Sequence, residues 1–164
     1  MQSLDNFKII NQDQGYGCGL IAVAHALQIP DFYTEKRLAK SEKGNNIIQL
    51  NDWLREDGIN FEPGYIFVDL LQNTIPPIFL NFDDWKDDYH AALILDVVVK
   101  EGNKGSHLIG AHLYKDMTID LFDGYKDKPI RTRLNRVCEY YYSFFGISSF
   151  IHIKTRKWHL FQNK

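Results

Sequence analysis

Cys18 stands in "NQDQGYGCGLIAVAHAL", at the seam between a polar, glycine-rich loop and an unbroken apolar run. A thiol attacks a carbonyl carbon only as its thiolate, and a free thiol has a pKa of about 8.5. At the first turn of a helix, backbone N–H groups and the positive end of the helix dipole favour the anion. Gly15, Gly17 and Gly19 leave room beside the sulfur for a substrate backbone to approach. A buried structural cysteine would sit inside the apolar run instead. Cys18 is therefore the candidate nucleophile.

Such a nucleophile needs a base, a group that orients the base, and donors to the oxyanion. His25 is the histidine nearest in sequence. Two helical turns set it about 10 Å along the axis from Cys18, against the ~3 Å of a working contact. It is expected as a polar side chain satisfied at the edge of the core. Two strand histidines remain. His107 opens "HLIGAHLY", and a two-residue turn at Lys115 and Asp116 would pair Tyr114 with Met117. Asp123 then lies diagonally beside His107. His90 precedes "AALILDVVVK", and a turn near Asn103 would bring Asp116 roughly opposite it. The first pairing needs the shorter turn, and spacing alone leaves both open. For the oxyanion, Gln12 and Gln14 precede Cys18 by six and four residues. Either amide can curl back across the glycine loop to join the N–H of Cys18. A metal site through Cys18, His107 and His112 is disfavoured, because a five-residue spacing in a strand points two imidazoles to opposite faces. No cofactor is expected.

The elements that must position these groups show in the hydrophobic pattern. Gly19 to Leu27 is apolar on every side except His25, the profile of a buried helix, stopped by Pro30. A second helix fits "TEKRLAKSEK" with Thr34 as N-cap. A third fits "NNIIQLNDWLREDG", with Ile47, Ile48, Leu50, Trp53 and Leu54 in one stripe and Gly58 as the stop. The period then changes. "INFEP" is a short strand, "FVDLLQN" a helical turn or two, and "IPPIFLNF" a strand introduced by prolines. "AALILDVVVK", "HLIGAHLY" and "MTIDLFD" follow as strands, then "LNRVCEYYYSFFG" as a helix and "ISSFIHIK" as a last strand. Helices come first and antiparallel strands after, so the expected class is α+β, in one domain spanning residues 1–164.

The bulk properties fall in the ordinary globular range. The 164 residues are 45% hydrophobic and 24% charged, enough for a real core. A net charge of -2 provides no field for nucleic acid. Cys18 and Cys138 lie far apart without a C-x-x-C pair, so reduced thiols are expected rather than a disulfide framework or a zinc ribbon. No apolar stretch approaches the ~18 residues of a membrane helix, and "MQSLDNFKII" has no signal-peptide pattern. The expected compartment is the cytoplasm, with leaderless secretion as an effector the alternative. The partner expected is a peptide or protein substrate, with no membrane and no nucleic acid.

The pattern Gln12-x5-Cys18-Gly19 opening an apolar helix resembles the papain-like cysteine peptidase superfamily. The sixteen-residue gap between His107 and Asp123, and the order Gln, Cys, His, Asp, agree with it. Within the superfamily the layout is most similar to the compact bacterial peptidase domains that process double-glycine leader peptides. "LNDWLREDGINFEP", "PPIFLNF" and "FDGYKDKPIRTRL" are the further segments that carry this likeness. "CGLIAVAHAL" and "HLIGAHLYKDMTIDLFDGYKDKPI" are also similar to ubiquitin C-terminal hydrolase motifs. The chain departs from the leader peptidases in having Gly17 before Cys18 and Gly124 after Asp123. The resemblance implies a papain-like fold, with the nucleophile on a central buried helix against an antiparallel sheet. It implies Cys18 as nucleophile, His107 as base, Asp123 as its orienting acid and Gln12 as oxyanion donor. The bond attacked would be a peptide, isopeptide or glutamine amide, in a peptidase first of all. A deamidase, deubiquitinase or transglutaminase acting on a protein uses the same machinery, and a catalytically silent peptide-binding module shares the fold.

Overall fold

A computed structural model describes residues 3–11, 18–28, 47–59, 61–64, 68–69, 90–99, 106–139 and 144–153. Two α-helices are present among them, α1 (Cys18–Leu27) and α2 (Ile47–Glu56). The strands are β1 (Phe61–Gly64), β2 (Val68–Asp69), β3 (His90–Val99), β4 (Ser106–Tyr114), β5 (Thr118–Phe122), β6 (Ile130–Arg133) and β7 (Phe144–Ile153). They form one sheet in the order β1-β7-β3-β4-β5-β6, with β2 also on β7, and every pairing is antiparallel. The class is α+β, as the pattern predicts.

Helix α1 is the axis of the molecule. Gly19 through Leu27 are all buried, and Leu20, Val23 and Leu27 share a core with Leu93, Ile94, Ile109 and Leu113 of the sheet. The closest approach is at Gly110 of β4, where an added Cβ would lie 2.7 Å from Cβ of His25 and 2.8 Å from the Ala22 carbonyl oxygen. Only glycine lets the strand come this near the helix. At the far end of α1, His112 Nε2 donates to the Ala26 carbonyl at 2.7 Å, satisfying a last-turn acceptor.

Helix ends differ in how they form. Gly58, at φ +70°, terminates α2: Ile59 N–H reaches the Leu54 carbonyl and Gly58 N–H the Arg55 carbonyl, a Schellman closure. Helix α1 ends at Leu27, and Pro30 lies outside the described residues. Gln28 takes φ +55° and turns its amide back to donate to the His25 carbonyl at 2.8 Å. Its Oε1 accepts from Lys8 N–H at 3.0 Å, tying the N-terminal segment to the helix.

Several expectations change. The segment "FVDLLQN" contributes a strand, Val68–Asp69, because its backbone is claimed by Ile147 and Gly146 of β7. Where a helix is expected over "LNRVCEYYYSFFG", Leu134–Glu139 form a 3-10 helix and Phe144 to Gly146 belong to β7, with residues 140–143 outside the described ones. Strand β6 had no alternation to announce it, and forms by pairing with β5. The expected helix at "TEKRLAKSEK" and strand at "IPPIFLNF" lie outside the described residues.

Candidate active site

Cys18 is the first residue of α1 and carries a free, half-buried thiol. His107, the second residue of β4, hydrogen-bonds to that thiol, and its Nε2 stands 3.0 Å from Oδ1 of Asp123, just past the end of β5. With Nε2 on the carboxylate, Nδ1 is the ring nitrogen left for the sulfur. The same Asp123 oxygen accepts the Tyr125 N–H at 3.0 Å, which fixes the carboxylate against rotation.

The β4–β5 hairpin brings His107 and Asp123 together, in a register one residue removed from the simple two-residue turn. Leu113 pairs with Ile119 and Gly110 with Phe122. Met117 enters the turn at φ +69°, with its N–H on the Tyr114 carbonyl at 2.9 Å, so three residues close the loop instead of two. The shift carries Tyr125 alongside His107, their ring centroids 5.2 Å apart and tilted by 33°. Tyr125 is the most exposed large hydrophobic side chain among the described residues, and nothing in the local sequence pattern marked it.

The electrostatics suit a thiolate. Burial opposes the anion at Cys18, but the hydrogen bond from His107, the backbone N–H of Leu108, the imidazolium charge and the N–H of Gly19 outweigh it. The thiol is held below its ordinary value. Burial likewise opposes a charged His107, yet the hydrogen bonds and charges of Asp123 and Cys18 push it up to about 9. Asp123 is held below the usual carboxylate range: its burial is overcome by His107 and by the Tyr125 N–H. All three shifts run in the direction that favours a thiolate, an imidazolium and a carboxylate in series.

The other named residues fall elsewhere. His90 pairs with Tyr114, at the opposite end of β4 from His107, seven residues or about 23 Å along the strand. Its partner Asp116 is exposed and accepts the Thr118 N–H at 2.9 Å, closing the hairpin turn. The backbone of His90 and the Asp116 turn thus lie at the end of β4 away from the thiol. Gln12 and Gln14 lie outside the described residues. Both His107 and His112 reach α1, so strand alternation does not separate them as expected. They meet opposite ends of the helix, at Cys18 and at Ala26, about 12 Å apart. That separation keeps them from sharing a metal, and no cluster of three metal-ligating side chains is present among the described residues.

No protein-family model matches the sequence, and a search of curated proteins finds no relative. Among solved structures the chain is similar to the peptidase domain of Streptococcus ComA, a bi-functional ABC transporter involved in a quorum-sensing pathway. The two share 15% identity and a TM-score of 0.53 over 90% of this chain and 97% of that one. The likeness is one of fold. It bears on the papain-like peptidase architecture and not on the ubiquitin C-terminal hydrolase motifs.

Proposed function

We propose that the chain is a cysteine hydrolase that cleaves an amide bond, first of all a peptide bond. The observation that supports this reading most directly is His107, hydrogen-bonded at once to the Cys18 thiol and to the Asp123 carboxylate. The Cys18 thiolate adds to the substrate carbonyl carbon and forms a C–S bond, moving the carbonyl π electrons onto oxygen. The N–H of Cys18, with the amide of Gln12 on the strength of the resemblance, stabilises that oxyanion. His107 gives its proton to the leaving nitrogen as the C–N bond breaks, leaving a thioester. Neutral His107 then takes a proton from water, whose oxygen displaces the thiolate and releases the acid. Asp123 keeps Nε2 protonated and Nδ1 aimed at the sulfur throughout. The resemblance to double-glycine leader peptidases makes a leader peptide the first substrate to try.

The test is peptide hydrolysis together with alkylation of Cys18, followed by peptide mapping to separate it from Cys138. Cys18→Ala is expected to abolish turnover, and His107→Ala to lower kcat/KM by on the order of 10²–10⁴. Native Cys18 is expected to react with iodoacetamide well below pH 7. A native thiol no more reactive there than a free one defeats the reading.

A further inference from the structure

His25 is buried at 1% exposure and takes no part in the chemistry just described. Both of its ring nitrogens are committed. Nδ1–H donates to the Phe122 carbonyl at 3.2 Å, and Nε2 accepts the Ile10 N–H at 2.7 Å. Phe122 is the residue immediately before Asp123, and its side chain is fully buried against the His25, His112 and Phe7 rings. One rigid helix therefore touches the Cys18–His107–Asp123 series at both ends. Cys18 is its first residue, and His25, two turns on, holds the chain just before Asp123. The ~10 Å that exclude His25 as a base match the span from the sulfur, across the imidazole, to the far side of the carboxylate.

We infer that His25 is a positioning residue: its Nδ1–H hydrogen bond to the Phe122 carbonyl locks the end of β5 to α1 and so sets where Asp123 meets His107. The assignment rests on the hydrolase reading above. It attributes the aim of the carboxylate to a side chain 98 residues away in sequence, on the helix that bears the nucleophile. Were the tie lost, β5 would still pair with β4 and β6, but its last residue would be free to shift by a few tenths of an ångström. A hydrogen bond relayed through two further groups is sensitive to displacements of that size.

Two substitutions separate the two bonds. His25→Asn places an amide donor near Nδ1 and can keep the bond to Phe122 while losing Ile10. His25→Gln places its amide near Nε2 and can keep Ile10 while losing Phe122. The readout is the pH profile of Cys18 alkylation by iodoacetamide in the full chain, at a temperature where circular dichroism shows both variants folded. The Gln variant is expected to react about tenfold more slowly than the native protein at pH 6, a shift of one pKa unit in the thiol. The Asn variant should stay within a factor of about two to three of native. A Gln variant that is merely less stable but keeps the native profile overturns the inference, as does an Asn variant that loses it while Gln keeps it. A native thiol that is not activated defeats the hydrolase reading instead, and the two failures are told apart by the native curve alone.

Discussion

His25 and His107 are buried histidines with opposite fates, and the difference lies in what faces each ring. His107 meets a carboxylate and a thiol, and stays charged. His25 meets a backbone carbonyl and a backbone N–H; burial dominates, outweighing the Phe122 carbonyl and the distant charge of Asp123, and its pKa falls to about 4. An unfolded histidine protonates near 6.5, so the unfolded state binds the extra proton first as pH falls. The stability His25 contributes is therefore complete above pH 6.5 and lost on the way down to about 4, amounting to about 3 kcal/mol. His107 works the other way, its contribution complete below 6.5 and lost as pH rises through about 9. The lowered Cys18 thiol offsets that loss in the alkaline range, which leaves the acid limb the cleaner one. Urea unfolding from pH 7 to 4.5 is expected to show the native protein losing most of those ~3 kcal/mol. In His25→Gln, with no group left there to protonate, the same limb should be shallower by about that amount.

Between elements, the tightest seam is α1 against β4 at Gly110. A methyl group there would press on the Ala22 carbonyl and the Ala26 nitrogen at 2.8 and 2.9 Å as well as on His25. Backbone on a buried helix cannot step aside. Gly110→Ala is expected to cost about 2–3 kcal/mol in urea denaturation, with slower alkylation of Cys18 as α1 is pushed off the sheet. This seam also explains what the sequence did and did not disclose. Helix α1 and the hairpin behind His107 were legible because their signals are local: an apolar run after a glycine loop, and two alternating segments around a short turn. The exact register was not, because Met117 adopts a left-handed conformation usually reserved for glycine or asparagine. The role of His25 was hidden for a different reason. Its partners are main-chain groups of Ile10 and Phe122, and backbone atoms leave no mark in a residue pattern. Strands β2 and β6 are too short for alternation to show, and exist because a neighbour claims their backbone.

Across the whole molecule, the sheet is not laid down in chain order. β7 follows all the others in sequence yet lies between β1 and β3, paired to β3 over nearly the full length of both. The buried centre of β3, Ala92 to Leu95, depends on that pairing and on β4 together. Ending the chain at residue 143 strips the hydrogen bonds from one whole edge of β3 and separates β1 from the sheet. Such a truncation is expected to show no cooperative unfolding transition by circular dichroism, and no low-pH alkylation of Cys18. The 164-residue chain under the same conditions supplies the comparison. The same placement bears on biosynthesis. Cys18, His107 and Asp123 all leave the ribosome before β7 does, but the sheet that supports two of them closes only when residue 153 has emerged. If Cys18 is the nucleophile proposed above, its site is thereby expected to be assembled only after its supporting strand has been made, so that the nascent chain carries the thiol without the surroundings that would activate it.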